Sequence, residues 1–103
     1  MMRMRLKTIK TDTNTETNNL HLVLKHQWYD LIESGEKTSE YREIKPYWEN
    51  RFKKHYDTVT FQKGYTKNPP TMVFEIISIE KTFEKNDLNL DEVYEIKLGK
   101  RLK

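Results

Sequence analysis

Residues 20–44 read Leu20-His21-Leu22-Val23-Leu24-Lys25-His26-Gln27-Trp28-Tyr29-Asp30-Leu31-Ile32-Glu33-Ser34-Gly35-Glu36-Lys37-Thr38-Ser39-Glu40-Tyr41-Arg42-Glu43-Ile44, and the apolar period changes within them. Leu20, Leu22 and Leu24 recur at every second position, which puts them on one face of a strand. Trp28, Leu31 and Ile32 then fall at i, i+3 and i+4, the spacing of a helix face. Ser34-Gly35 stops that helix after about two to three turns, because Gly adopts the left-handed conformation that ends a helix at no steric cost. The polar stretch from Glu36 to Ile44 reads as a second strand. A strand, a short helix and a strand within so few residues point to a small α+β domain rather than a helical bundle.

Outward from this unit, Pro46 opens a second helical turn through Phe52, since Pro suits a first helical position. Tyr56–Lys63 alternates Val59 and Phe61 with Thr58 and Thr60, and Gly64 with Asn68-Pro69-Pro70 marks a loop around Tyr65. Met72–Phe83 is the longest β-rich run, with Phe74 and Ile76 on one face and Val73, Ile77 and Ile79 on the other, so it is expected to be central and covered on both faces. Lys85–Asp91 reads as a loop or a single helical turn, and Val93–Leu98 closes the sheet with Tyr94, Ile96 and Leu98 inward. The order β-α-β-(α)-β-β-β predicts a small mixed, mainly antiparallel β-barrel with one or two short helices. The terminal Lys97, Lys100, Arg101 and Lys103 read as a fraying basic tail.

Upstream, eight of the twelve residues from Thr8 to Asn19 are Thr or Asn. Residues 1–18 are therefore expected to be a flexible polar tail, with nothing to offset its ordering entropy, and 19–103 to be the domain. The whole chain of 103 residues is 35% hydrophobic and 34% charged, with a net charge of +3, which bounds it to one domain with a thin core that twelve aromatic residues must help to seal. The absence of cysteine excludes disulfides, thiolate metal sites and a Cys nucleophile. No apolar run is longer than three residues (Leu22-Val23-Leu24 and Met72-Val73-Phe74), so a membrane span is not expected, and a Thr/Asn-rich stretch replaces the apolar segment that a secretory signal would need after Arg3 and Arg5. A cytoplasmic monomer without cofactor is the expectation. The histidines lack metal-ligand spacing, and no phosphate-binding Gly-rich loop or nucleophile elbow is present.

The charge is not evenly spread. Between Lys37 and Lys54 stand six basic residues (Lys37, Arg42, Lys45, Arg51, Lys53, Lys54) and three acidic ones (Glu40, Glu43, Glu49), an excess equal to that of the whole chain. Tyr41, Tyr47, Trp48 and Phe52 are interleaved with them. Basic groups hold phosphates and planar groups stack bases, so this is the composition of a nucleotide or single-strand cleft; it is equally that of a solvated strand with aromatic core residues. On the second strand Thr38, Glu40 and Arg42 share one face by parity, with Lys37 at the turn able to reach back over it.

Gly35-x-Lys37-x-x-Glu40-x-Arg42 resembles the GxKxxExR signature of the ASCH domain. The resemblance runs from Leu20 to Leu102 and takes in Leu22-Val23-Leu24-Lys25-x-x-Trp28, the tract Tyr41-Arg42-Glu43-Ile44-Lys45-Pro46-Tyr47-Trp48, the Phe61-x-x-Gly64-Tyr65 turn and Tyr94-x-Ile96-x-Leu98-Gly99. These features are similar to the small single-domain ASCH proteins of bacteria and their phages. The resemblance implies a PUA-like barrel whose signature residues line a cleft for RNA or a modified nucleoside. In that cleft Gly35, Lys37, Thr38, Glu40, Arg42, Lys45, Tyr47, Trp48, Arg51 and Tyr65 would be the binding residues: Lys37 and Arg42 on phosphate or carbonyl oxygen, Glu40 on a base amino group or on Lys37, Tyr47 or Trp48 stacking, Tyr65 at the rim. One bacterial branch of the family hydrolyses acetylated cytidine with the signature Lys, a Thr three residues later and a downstream Glu. Lys37 matches, but Glu40 stands in place of the Thr. If the protein is an enzyme, Lys37 and Glu40 would be catalytic, with Glu75, Glu80 or Glu84 as a further carboxylate. However, a carboxylate beside Lys37 opposes the loss of the proton that a nucleophilic lysine needs. A third alternative is a protein-interaction module using the same groove. If the basic window contacts several phosphates, log K for a single strand should fall by roughly 0.7 per contact per unit of log salt.

Overall fold

The computed structural model describes residues 18–103. The polar tail expected over 1–18 lies outside the described residues except for Asn18, whose carbonyl accepts the amide of Asp57 at 2.8 Å and so belongs to the fold. Five strands and two helices follow: β1 (Asn19–Leu24), α1 (His26–Ser34), β2 (Ser39–Arg42), α2 (Pro46–Arg51), β3 (Thr58–Lys63), β4 (Thr71–Thr82) and β5 (Val93–Arg101). The sheet order is β1-β3-β4-β5-β2, with β1 and β3 parallel and all other pairs antiparallel. This is the expected α+β, mainly antiparallel architecture. The sheet curls into a half-barrel whose two edge strands are β1 and β2.

The register explains the core. Leu20 and Leu22 of β1 lie opposite Val59 and Phe61 of β3, and Val59 and Phe61 lie opposite Phe74 and Met72 of β4, so one inward row runs across three strands. All of these are buried, and Tyr29 and Ile32 of α1 pack onto them with Ile96 of β5. On α1 the deepest side chain beside Ile32 is Tyr29, whereas Trp28 and Leu31 are only partly buried. The helix face is rotated toward the barrel by one position from the face that Trp28 and Leu31 define.

Two expectations are corrected on β4 and β5. β4 is central, its first half paired with β3 and its second with β5, but register shifts between Phe74 and Ser78 break the alternation. A bulge inserts a residue and turns those beyond it to the other face. Ile79 thus joins Phe74 and Ile76 against the core, while Ile77 is 68% exposed, so the strand is not covered on both faces. The terminal basic residues do not fray: β5 extends to Arg101, the amide of Leu102 donates to the carbonyl of Val73 at 2.7 Å, and the amide of Val73 donates to that of Lys103 at 3.1 Å. Lys85–Asp91 is a loop without a helix. Among the described residues no helix is long and apolar enough to cross a membrane.

Candidate ligand-binding cleft

The sheet does not close between β1 and β2, and a cleft of about 310 Å³ lies there. Its walls are the end of β1 (Val23, Leu24) with Lys25 between β1 and α1, Trp28 from the first turn of α1, Glu40 to Glu43 of β2 and its exit, Trp48 of α2, and Asp87 and Leu88 of the β4–β5 loop.

The approach to β2 is set by Gly35. Its φ of +88° turns the chain sharply after α1; its amide donates to the carbonyl of Ile32 at 3.1 Å, and the amide of Lys37 reaches back to that of Leu31 at 3.0 Å. Lys37 is thereby delivered under the β4–β5 loop with its side chain only 9% exposed. The ammonium forms an ion pair with Asp87, sits 3.5 Å from Oε1 of Glu40, and lies 4.8 Å from the centre of the Tyr41 ring and 5.4 Å from that of Trp28. Arg42 donates from Nη2 to Oε2 of Glu40 at 2.8 Å, and its guanidinium lies 5.0 Å from the centre of the Trp48 ring. Lys37, Asp87, Glu40 and Arg42 therefore form one connected cluster of two cations and two carboxylates.

Glu40 is the most deeply placed acid in it, with its side chain 8% exposed. Burial raises its pKa above the ordinary carboxylate value; Arg42 and Lys37 pull in the opposite direction, and the Asp87 charge adds to the rise. Nε of Arg42 is buried with no hydrogen-bond partner among the described residues. The cluster is held from behind by β2–β5 pairing and by the Ser39 hydroxyl, which donates to Oε2 of Glu95 at 2.7 Å. Trp48 is braced by Phe52, stacked at 5.5 Å, which in turn meets Tyr94 edge-on at 4.8 Å.

Of the residues singled out from the sequence, Glu40, Arg42 and Trp48 line the cleft. Lys37 and Thr38 line a shallower groove on the far side of Asp87, which shares Trp28 and Tyr41 with the cleft. Thr38 precedes β2 and is exposed, so strand parity does not carry it to Glu40 and Arg42. Gly35 acts through the turn. Lys45 is exposed and paired with Glu43 at 3.1 Å. Tyr47 is mostly exposed and accepts a hydrogen bond from Arg51 at 2.8 Å, while Arg51 lines a separate recess beyond α2. Tyr65 is 85% exposed on its loop and is not among the residues lining the cleft. The basic window thus does not converge: Arg42 is its only cation in the cleft wall, where it and Lys25 face Glu40, Glu43 and Asp87. Glu75, Glu80 and Glu84 are likewise outside the wall, and Asp87 supplies the carboxylate that meets Lys37. Asp87 and Trp28 are the functional candidates that the sequence did not single out. Asp87 lies fifty positions from Lys37 on a loop with no local signature, whereas Trp28 had been absorbed into the helix face. No protein-family model, curated protein or solved structure matches the chain.

Proposed function

We propose that the cleft between β1 and β2 binds one nucleobase, presented as a nucleoside or within single-stranded RNA. The observation that carries this reading is the adjacency of the Glu40 carboxylate and the Arg42 guanidinium, at 2.8 Å, in a cleft walled by both tryptophans of the chain. An acceptor beside a donor complements the edge of a base, where a donor and an acceptor also stand side by side, and indole faces stack on its plane. Glu40 retains lone pairs beyond those used by Arg42 and Lys37, since a carboxylate accepts at about four sites. The volume of about 310 Å³ is at the low end for small-molecule sites, roughly 300–1,000 Å³, and suits one nucleoside rather than a stack.

The charge of the wall favours an uncharged group. With Lys25 and Arg42 set against Glu40, Glu43 and Asp87, a phosphate inside the cleft would meet more carboxylates than cations. The same geometry does not favour the amidohydrolase alternative, because the Lys37 ammonium is engaged by Asp87 and Glu40 and lies outside the cleft wall.

Tryptophan fluorescence tests the proposal directly, because the only two tryptophans both line the cleft. Titration with cytidine, uridine, adenosine, guanosine and acetylated cytidine should give saturable quenching by at least one of them, insensitive to salt. Benzyl alcohol, planar but without the paired donor and acceptor, should give none. No quenching by any nucleoside, or equal quenching by benzyl alcohol, overturns the proposal. Chromatography of the acetylated cytidine mixture should recover it unchanged.

A further inference from the structure

The cations that the cleft does not use have a place of their own. At the C-terminal end of α2, a recess of about 620 Å³ is lined by Asn18, Asn19, Arg51, Lys54, His55 and Tyr56. None of these is acidic. Asp57 stands next to the recess and takes the His55 ring at 2.7 Å, which leaves the Arg51 guanidinium and the Lys54 ammonium as its cationic groups. Arg51 is not a loose surface cation. It donates to the Tyr47 hydroxyl at 2.8 Å, its own carbonyl accepts the Tyr56 hydroxyl at 3.0 Å, and its guanidinium lies 5.8 Å from the centre of the Trp48 ring, a ring that also walls the cleft. Trp48 and Arg51, three positions apart and so neighbours on one side of α2, line the cleft and the recess respectively.

We infer that this recess is a phosphodiester subsite for the strand whose base occupies the cleft, so that the ligand is a single-stranded nucleic acid read by one base and held by at least one neighbouring phosphate. The inference rests on the base-binding reading of the cleft and assigns the phosphate to a different surface. It accounts for the concentration of charge between Lys37 and Lys54: Arg42 and Lys37 are consumed by carboxylates, whereas among the described residues Arg51 and Lys54 face a recess with no carboxylate in its lining, Asp57 at its margin being taken by the His55 ring and the Asn18 amide. A guanidinium held by the Tyr47 hydroxyl and set against the Trp48 ring is also pre-organised for phosphate, which it can meet with paired donors.

The test compares a single-stranded RNA of about six nucleotides, within the footprint usual for such domains, with the free nucleoside that binds best. For wild-type protein the log K of the hexamer should fall with log salt at a slope of about 1.4, two contacts at roughly 0.7 each, while the nucleoside shows no slope. Among the described residues Lys54 bonds through its backbone amide, donating to the carbonyl of Arg51 at 3.4 Å, and its side chain makes no hydrogen bond or ion pair, so Lys54→Gln should fold normally. It should reduce the hexamer slope to about 0.7 and leave nucleoside affinity unchanged. Inorganic phosphate, added at constant ionic strength, should compete with the hexamer and not with the nucleoside. A hexamer slope equal to that of the nucleoside, an unchanged slope in Lys54→Gln, or competition between phosphate and nucleoside overturns the subsite. Failure of every nucleoside to bind overturns the base reading instead, and the two failures are read in separate titrations.

Discussion

Replacing Glu40 with Gln isolates the group on which the cleft depends. The substitution keeps the shape and one acceptor oxygen but removes the charge between Arg42, at 2.8 Å, and Lys37, at 3.5 Å. Breaking a buried ion pair by deleting one partner ordinarily costs about 3–5 kcal/mol, because the remaining charge is stranded. Here the cost should be smaller. Lys37 keeps Asp87, Arg42 keeps the face of Trp48, and the desolvation that raises the Glu40 pKa is itself a cost of holding the carboxylate in the fold that Gln does not incur. We expect a loss of about 1–2 kcal/mol at pH 7, in the lower part of the range for buried polar contacts. The pH dependence carries the sign. A carboxyl with a raised folded-state pKa favours the fold most at pH values below its unfolded value, 4.5, and that contribution is lost as pH rises through the folded value. The stability of wild type relative to Glu40→Gln should therefore grow as pH is lowered from 7 toward 4.5, with a slope no steeper than about 1.36 kcal/mol per pH unit. Urea denaturation of both proteins across that range measures it, and the difference cancels the carboxylates they share. A difference that shrinks on acidification would mean that Arg42 and Lys37 outweigh burial, and the account of the cluster would be refuted.

Two further outcomes are expected. Trp48→Leu should weaken nucleoside binding by about 1–3 kcal/mol, the usual contribution of one stacking ring, measured by quenching of the remaining Trp28; an affinity within twofold of wild type would remove Trp48 from the base site. Gly35→Ala should cost about 1–2 kcal/mol in urea denaturation, purely for the left-handed backbone, since a Cβ there would meet nothing within 4 Å, and Gly64→Ala should cost about the same, because the His26 ring that its Cβ would meet at 2.8 Å belongs to an exposed side chain that can swing aside. A cost at Gly64 well above that at Gly35 would mean that His26 is held in place.

The fold was legible where local pattern and packing agree. Leu20, Leu22 and Leu24 alternate in sequence and are all buried, Pro46 begins α2, and Gly35 ends α1 in the left-handed region. Legibility failed where a long-range contact or a backbone irregularity decides. The bulge near Ile77 exchanges the two faces of β4, and no Gly or Pro on β4 announces it; its mark is Gly99 on the partner strand β5, where a Cβ would stand 3.3 Å from Cγ1 of Ile77. The terminal basic residues looked unanchored because their partner, Val73, lies some thirty positions upstream. At the site, Glu40 and Arg42 could be paired by strand parity alone, and their hydrogen bond follows that parity. Asp87 could not be found in this way, since nothing local marks one carboxylate in an Asn-rich loop as the partner of Lys37. The basic window was real as composition but misleading as a place: a charge count along the chain does not register that α2 carries Arg51 to another recess while Glu40 and Asp87 engage Lys37.

The cleft and the cluster have one physical origin, the failure of the sheet to close. A fifth ladder between β1 and β2 would complete the barrel and leave no room for a ligand; instead the β2 side of the gap carries ion pairs, Arg42 with Glu40 within β2 and Lys37 with Asp87 of the β4–β5 loop, beside the partly buried rings of Trp28 and Trp48. A polar wall of this kind is poor economy for stability, since apolar groups of the same volume often serve a core better than a buried ion pair. Its return is that the strongest acceptor in the gap, Glu40, is held in an environment that disfavours its charge. Any ligand donor that reaches it relieves part of that cost, so binding and ionisation of Glu40 must be coupled, and an N–H-bearing base that binds the carboxylate will also lower its pKa.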